Sequence, residues 1–154
     1  MKVFEVHSDG ASSGNPGPAG IGIIIKVDGD VVTTVSEEIG KATNNVAEYS
    51  ALIRALKEAK ALGAEHLRLR TDSELVFYQL KGDFKVKHEN MKPLHEEALG
   101  LLKGFKKVEF KVVPREENKE ADLLATSALK KIKAGRDGRS DEFVIGEESP
   151  SSTG

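Results

Sequence analysis

Four acidic residues stand where the local pattern of this chain changes, and acids so placed can hold a cation. Asp9 follows the β-prone run Val3 to His7, and Asp72 follows the alternating run His66 to Thr71. Each therefore lies at the carboxyl end of a candidate strand. If the two strands are parallel neighbours, both side chains emerge at one edge of a sheet, the edge where open α/β sheets place ligands. Two carboxylates brought together there repel each other and ionise together most readily with a cation between them. A donor set made only of oxygen suits Mg²⁺ or Mn²⁺. Glu48 and Asp122 lie near the starts of two segments with helical spacing.

Each acid also has an ordinary local use. Asp9 before Gly10 can open a turn. Asp72-Ser73 can cap the helix that follows. Asn45 as N-cap with Glu48 three residues on has the spacing of a capping box. Asp122, one turn into the last helix, gains from the helix dipole. No acid taken singly separates the two readings.

The elements that must position these residues follow from periodicity. Ile21 to Val27 is a near-continuous apolar run, read as a buried strand. Asp28-Gly29 is a two-residue hairpin signal, and Val31 to Ile39 is the returning strand. Tyr49, Leu52, Ile53, Leu56 and Ala59 then follow helical spacing up to Gly63. Ser73 to Leu80 reads as a short helix and Gly82 to Lys92 as a lysine-bearing loop. Pro93 to Lys103 reads as a helix begun by proline, and Val108 to Val113 as a strand. Asn118 to Lys133 is the final helix, with Leu124, Ala125, Ala128, Leu129 and Ile132 inward. The order βββαβααβα predicts an α/β domain, a mixed sheet with helices packed on it. Residues 1–134 form that one domain. Residues 135–154, rich in Gly, Ser, Asp and Glu, are expected to be a mobile acidic tail.

Composition narrows the function classes. The 154 residues carry a formal net charge of −2. The tail holds two Arg against five acids, a net of −3, so the body carries +1. Such a body does not predict strong non-specific DNA binding, but a groove of clustered basic residues remains open. The absence of cysteine excludes disulfide partners and thiolate metal sites. Charges interrupt the first residues, and no apolar run approaches the ~20 residues of a membrane helix. The expectation is a cytoplasmic, soluble protein without a membrane partner. The four histidines show no zinc-ligand spacing, and Tyr49 and Phe77 read as core rather than base-stacking platforms.

The combination of motifs resembles the type 1 ribonucleases H. The stretches that carry the resemblance are His7-Ser8-Asp9-Gly10-Ala11-Ser12-Ser13-Gly14-Asn15-Pro16-Gly17-Pro18-Ala19-Gly20, Thr43-Asn44-Asn45-Val46-Ala47-Glu48, Thr71-Asp72-Ser73 and Glu117-Asn118-Lys119-Glu120-Ala121-Asp122. They occur in the family's order and approximate spacing and span about residues 2–133. The resemblance implies a ribonuclease H fold, a five-stranded mixed sheet with strands 1–3 antiparallel and helices on both faces. It implies that Asp9, Glu48, Asp72 and Asp122 bind two Mg²⁺ or Mn²⁺ ions and hydrolyse the RNA strand of an RNA–DNA hybrid, leaving 5′-phosphate and 3′-hydroxyl ends. It further implies contact with the RNA 2′-hydroxyls through the turn holding Gly10, Ser12 and Asn15 and through Asn44 and Asn45. Thr43 would help hold a phosphate of the DNA strand. The 2′-hydroxyl is what separates RNA from DNA, and asparagine can both donate to it and accept from it.

Two departures from the family pattern stand out. The basic helical insertion of many members is absent, and only the segment from Lys81 to His88 precedes Pro93. Lys85 and Lys87, with Lys81 and Lys92, are candidate phosphate contacts in its place, against the alternative of a solvated loop. The mobile histidine found ahead of the last acid in some members is missing, and Arg115 is the nearest equivalent. Arginine cannot shuttle protons near neutral pH but can attract phosphate. The expected protein is a monomeric enzyme. The competing reading is a catalytically silent hybrid-binding module on the same fold.

Overall fold

A computed structural model describes residues 2–137, with side chains as far as Lys130. Three antiparallel strands open the chain: β1 (Val3–Ser12), β2 (Gly17–Val27) and β3 (Asp30–Ala42). They are followed by α1 (Asn44–Ala61), β4 (His66–Thr71), α2 (Glu74–Lys81), α3 (Lys92–Leu102) and β5 (Lys107–Val112). A 3₁₀ turn (Arg115–Asn118) leads into α4 (Lys119–Asp137). The sheet order is β3-β2-β1-β4-β5, with β4 parallel to both β1 and β5. This is the five-stranded mixed sheet expected from the sequence.

The glycines of β2 explain how the sheet takes helices on both faces. Ile21, Ile23 and Ile25 point one way, into a core shared with Leu52 and Leu56 of α1 and Leu67 and Leu69 of β4. Gly20 and Gly22 point the other way, beneath α4. A Cβ at Gly22 would lie 2.1 Å from the Ala121 carbonyl oxygen, so α4 rests directly on bare strand backbone. The alternation of the run Gly20 to Ile25 thus divides two helix layers, which its nearly uniform hydrophobicity hid.

Other differences from the expected boundaries have local causes. Strand β1 continues five residues past His7, through Asp9 to Ser12, because β2 keeps pairing it as far as Ser12 opposite Ala19. The turn chemistry of that stretch is confined to the residues between the two strands. Asp28 (φ 53°) and Gly29 (φ 84°) form the expected hairpin turn. Helix α4 carries its backbone to Asp137, three residues past the expected domain boundary. The rest of the acidic tail, residues 138–154, and the inward reading of Ile132 lie outside what the structure describes. Among the described residues no helix is long and apolar enough to cross a membrane.

Candidate active site

The parallel pairing of β1 and β4 ends with His7 opposite Arg70. Two residues further on stand Asp9, still within β1, and Asp72, the residue just after β4, so the ladder delivers both carboxylates to one edge. Asp9 is buried, and the Asp72 side chain is 7% exposed.

Glu48 reaches the same point from α1 by a close approach of backbones. A Cβ at Gly10 would lie 2.2 Å from the Ala47 carbonyl oxygen, so only glycine lets α1 sit this near β1. The Gly10 N–H donates to Glu48 Oε1 at 3.1 Å. The capping-box reading of Glu48 is therefore corrected. The N-cap of α1 is Thr43, whose hydroxyl accepts from Val46 N–H at 3.2 Å, and not Asn45. Likewise Ser73, not Asp72, caps α2. Both acids are thus left to the site.

Carboxylate oxygens of Asp9, Glu48 and Asp72 lie within 4.8 Å of one another. Asp122 stands outside this triad and meets it through Asp9, which it faces from the first turn of α4. Burial first, then the negative charge of Glu48, a hydrogen bond that protonated Asp9 donates to Asp122 and the charges of Asp72 and Asp122 push the Asp9 carboxyl far above the ordinary range. Burial and the charge of Asp72 push Glu48 up as well, partly offset by the Gly10 N–H. Carboxylates so crowded cannot all ionise without a compensating cation. Three converging carboxylates and no softer donor fit a hard divalent ion.

Arg115 in the 3₁₀ turn places its Nε 3.6 Å from Asp72 Oδ2, with the side chain 80% exposed. It is at the rim, free to face a bound anion. Asn118 belongs to the site and carried no assigned role in the sequence. It is buried, and its Nδ2 donates to the Ser8 carbonyl at 2.9 Å and lies 3.4 Å from Asp72 Oδ1. Its Oδ1 pairs with His7 Nδ1 at 3.1 Å, and His7 Nε2 meets Glu5 at 3.0 Å. One amide thus ties β1, β4 and the start of α4 together beneath the acids. The only sequence sign was an asparagine four residues before Asp122.

The turn after β1 is tied to the start of α1 by two asparagines. Ser12 N–H donates to Asn44 Oδ1 at 3.2 Å, and Asn44 N–H donates to Asn15 Oδ1 at 2.9 Å. Ser12 Oγ turns back to the Gly14 carbonyl. Ser12, Asn15 and Asn44 are therefore held together beside Gly10, which is buried against Glu48, and Thr43, which caps α1. Asn45 lies apart from this clamp. It lines a cleft of about 570 Å³ with Phe84, Lys85, Lys87 and His88. Of the loop lysines, Lys81 pairs with Asp83 and Lys92 with Glu89, whereas Lys85 and Lys87 make no ion pair among the described residues.

Comparison with known proteins agrees with this geometry. Residues 7–128 match the family model described as reverse transcriptase-like. The ribonuclease HI of Halobacterium salinarum is 44% identical over 127 residues, which cover 80% of this chain and 64% of that protein. The solved structure of an RNase H1 from that organism, 42% identical, has a TM-score of 0.81 and is covered to 98%, using 84% of this chain. LC11-RNase H1, solved in complex with an RNA/DNA hybrid, is 37% identical with a TM-score of 0.78, over 84% of this chain and 99% of that one. The bifunctional protein Rv2228c of Mycobacterium tuberculosis is 40% identical over all of this chain, which spans only 43% of its length. A shared fold at this identity, joined to three carboxylates at the end of the β1–β4 ladder, has one consistent explanation: the chain belongs to the type 1 ribonuclease H family.

Proposed function

We propose that this chain hydrolyses the RNA strand of RNA–DNA hybrids, with Asp9, Glu48, Asp72 and Asp122 as the residues that hold two Mg²⁺ or Mn²⁺ ions. The observation that carries the proposal is the Asp9–Glu48–Asp72 triad, its oxygens within 4.8 Å and its acids made reluctant to ionise alone. The bound ions would supply a nucleophilic water at neutral pH and counter-charge for the departing 3′ oxygen, giving 5′-phosphate and 3′-hydroxyl ends.

The protein's own part is to place the substrate. Asn15 and Asn44 use their side-chain oxygens inside the protein, which leaves the amide NH₂ groups as donors toward a 2′-hydroxyl. Gly10 and Ser12 bring the end of β1 beside the RNA strand. The exposed Arg115 attracts the phosphate at the rim. Asn45, which lines a cleft with Lys85 and Lys87, adds a further contact to the RNA strand, the two lysines meet phosphates, and Thr43 helps hold a phosphate of the DNA strand. The solved hybrid complex of LC11-RNase H1 supports the choice of substrate.

The test is a labelled RNA–DNA hybrid incubated with the protein and Mg²⁺, beside duplex DNA and duplex RNA. Cleavage of the RNA strand of the hybrid alone, abolished by EDTA, is the expected result. Binding without cleavage would instead establish a silent hybrid-binding module.

A further inference from the structure

The loop that carries Lys85 and Lys87 has no regular backbone structure from Lys85 to His88. Its first residues are gathered onto the end of α2, where the Tyr78 carbonyl accepts from the N–H groups of Gly82, Asp83 and Phe84. Beyond Phe84 the loop is held by the packing of Val86 against the core and by one polar tie from a side chain. Gln79, buried at 4% exposure, donates from Nε2 to the Lys85 carbonyl at 3.2 Å. Its Oε1 accepts from the fully buried Tyr49 hydroxyl at 2.6 Å.

The orientation of that amide is fixed by chemistry. A carbonyl oxygen only accepts, so the NH₂ end of Gln79 must face Lys85, and its oxygen must then face Tyr49. The Gln79 backbone is held too, since its carbonyl pairs with His95 Nε2 of α3 at 3.1 Å. The His95 ring meets the Tyr49 ring edge-on, with centroids 6.4 Å apart. Tyr49 follows Glu48 on α1 and is buried in the core. A single chain of contacts therefore runs from the helix of the acid cluster to the backbone of the first unpaired lysine. Gln79 also lines the cleft whose walls hold Asn45, Lys85 and Lys87.

We infer that Gln79 is a positioning residue that, oriented by Tyr49, sets the Lys85–Lys87 loop at the distance from Asn45 that a nucleic-acid strand requires. The inference rests on the proposed function for its substrate and goes beyond it in naming what determines affinity. A lysine on an unanchored loop contributes only a diffuse charge, because ordering it on binding costs conformational entropy. An anchored one meets a phosphate already in place. Loss of the anchor should therefore weaken hybrid binding without touching the chemistry.

The experiment compares Gln79→Met, Gln79→Glu and Tyr49→Phe with the wild type and with Lys85→Ala/Lys87→Ala. Tyr49→Phe keeps the Gln79 donor and removes only its orienting partner, so it reports on the strut if the methionine variant folds poorly. Gln79→Glu keeps an acceptor for Tyr49 and, when ionised, sets a charge against the Lys85 carbonyl, whereas protonated it can still donate to it. Three quantities are read: hybrid KM and kcat, the slope of log Kd against log salt between about 50 and 200 mM KCl, and amide exchange across residues 82–91. The expected result is faster exchange in the loop, a KM raised about threefold to tenfold, a salt slope reduced by up to about one unit as one phosphate contact is lost, and kcat unchanged. The lysine variant, which removes two charges, should reduce the slope by up to about two units with normal exchange. Unchanged loop exchange, or a kcat that falls with KM constant, overturns the inference. If the wild type neither binds nor cuts a hybrid, the proposed function fails, while the exchange measurement still decides whether Gln79 holds the loop.

Discussion

Replacing Asp9 by Asn should make the metal-free protein more stable and the metal-bound protein inactive, and both effects have a calculable origin. Two unit charges 4.8 Å apart, the limit of separation in the triad, repel by about 3.5 kcal/mol at an effective dielectric of ~20. Asp9 faces two such partners in Glu48 and Asp72, so without a cation the native state relieves the strain by taking up protons. Its pKa is raised on folding, as is that of Glu48. The stability associated with a raised carboxyl pKa is complete below the unfolded value near 4 and is lost as pH climbs toward the folded value. At pH 7 the penalty for Asp9 cannot exceed about 4 kcal/mol, which is 1.36 kcal/mol for each pH unit above ~3.9. Asparagine has nearly the same volume and no charge to hold. Allowing for imperfect hydrogen bonds, the substitution should return about 1–3 kcal/mol.

The assay is thermal unfolding in EDTA and again with Mg²⁺, across pH 4 to 8. In EDTA the Asn variant should melt about 3–10 °C above the wild type near pH 7, taking about 2–4 °C per kcal/mol for a chain of this size. The difference should vanish toward pH 4. Adding Mg²⁺ should raise the wild-type melting temperature, because an ion that binds only the folded state stabilises it by mass action, and should raise the variant far less. Hybrid cleavage by the variant should fall at least about 10³-fold, some 4 kcal/mol of transition-state stabilisation. Equal melting temperatures in EDTA, combined with an equal response to Mg²⁺, would refute the view that these acids are held together against their repulsion to receive a cation.

Three further outcomes follow from the same geometry. Gly10→Ala forces a methyl group to within 2.2 Å of the Ala47 carbonyl, so it should cost about 1–3 kcal/mol in urea unfolding and lower turnover by displacing Glu48. Asn118→Ala leaves the buried Ser8 carbonyl without its partner and frees Asp72, so it should cost about 1–3 kcal/mol. It should also weaken Mg²⁺ binding by about tenfold to a hundredfold, measured by calorimetry, as loss of an outer contact to a metal ligand does. Arg115→Ala should lower turnover by only about threefold to tenfold, some 0.7–1.4 kcal/mol, because its side chain is 80% exposed and water competes for its contacts; unchanged turnover would remove it from the reaction.

What the sequence made legible was whatever depends on neighbours in the chain. Alternation placed Asp72 at the end of β4, and a β-prone run placed Asp9 at the end of a strand that in fact continues to Ser12; the parallel pairing of β1 with β4, a condition of the sequence argument, is met. The Asp28-Gly29 turn is legible because both positions require positive φ. The capping of α1 was not, and the reason is physical. Thr43, Asn44 and Asn45 all have side chains able to cap a helix, and local rules cannot rank them. The decision is made by Ser12, whose N–H captures Asn44 Oδ1 from 32 residues away. Asn118 and Gln79 were silent for the same reason, since their partners His7, Ser8, Tyr49 and Lys85 lie on other elements. The glycine stripe of β2 was hidden in an apolar run because hydrophobicity does not show which of two helices each residue faces.

The continuation of β1 past His7 is also what joins recognition to chemistry. Within four consecutive residues the strand presents Asp9 to the cation site, Gly10 N–H to Glu48 and Ser12 N–H to Asn44. Helix α1 is therefore pinned to this strand at two points, one holding an acid and the other holding an amide directed at the substrate. Had the chain turned immediately after Asp9, the two would sit on separate loops and move independently. On one paired strand the two pinning points, Gly10 and Ser12, are separated by two residues of extended backbone, about 7 Å at ~3.3 Å per residue. Under the proposed function, a hybrid whose 2′-hydroxyls met Asn15 and Asn44 would be held relative to the acids by this one paired strand, so selection for RNA and the site of hydrolysis would share a common support.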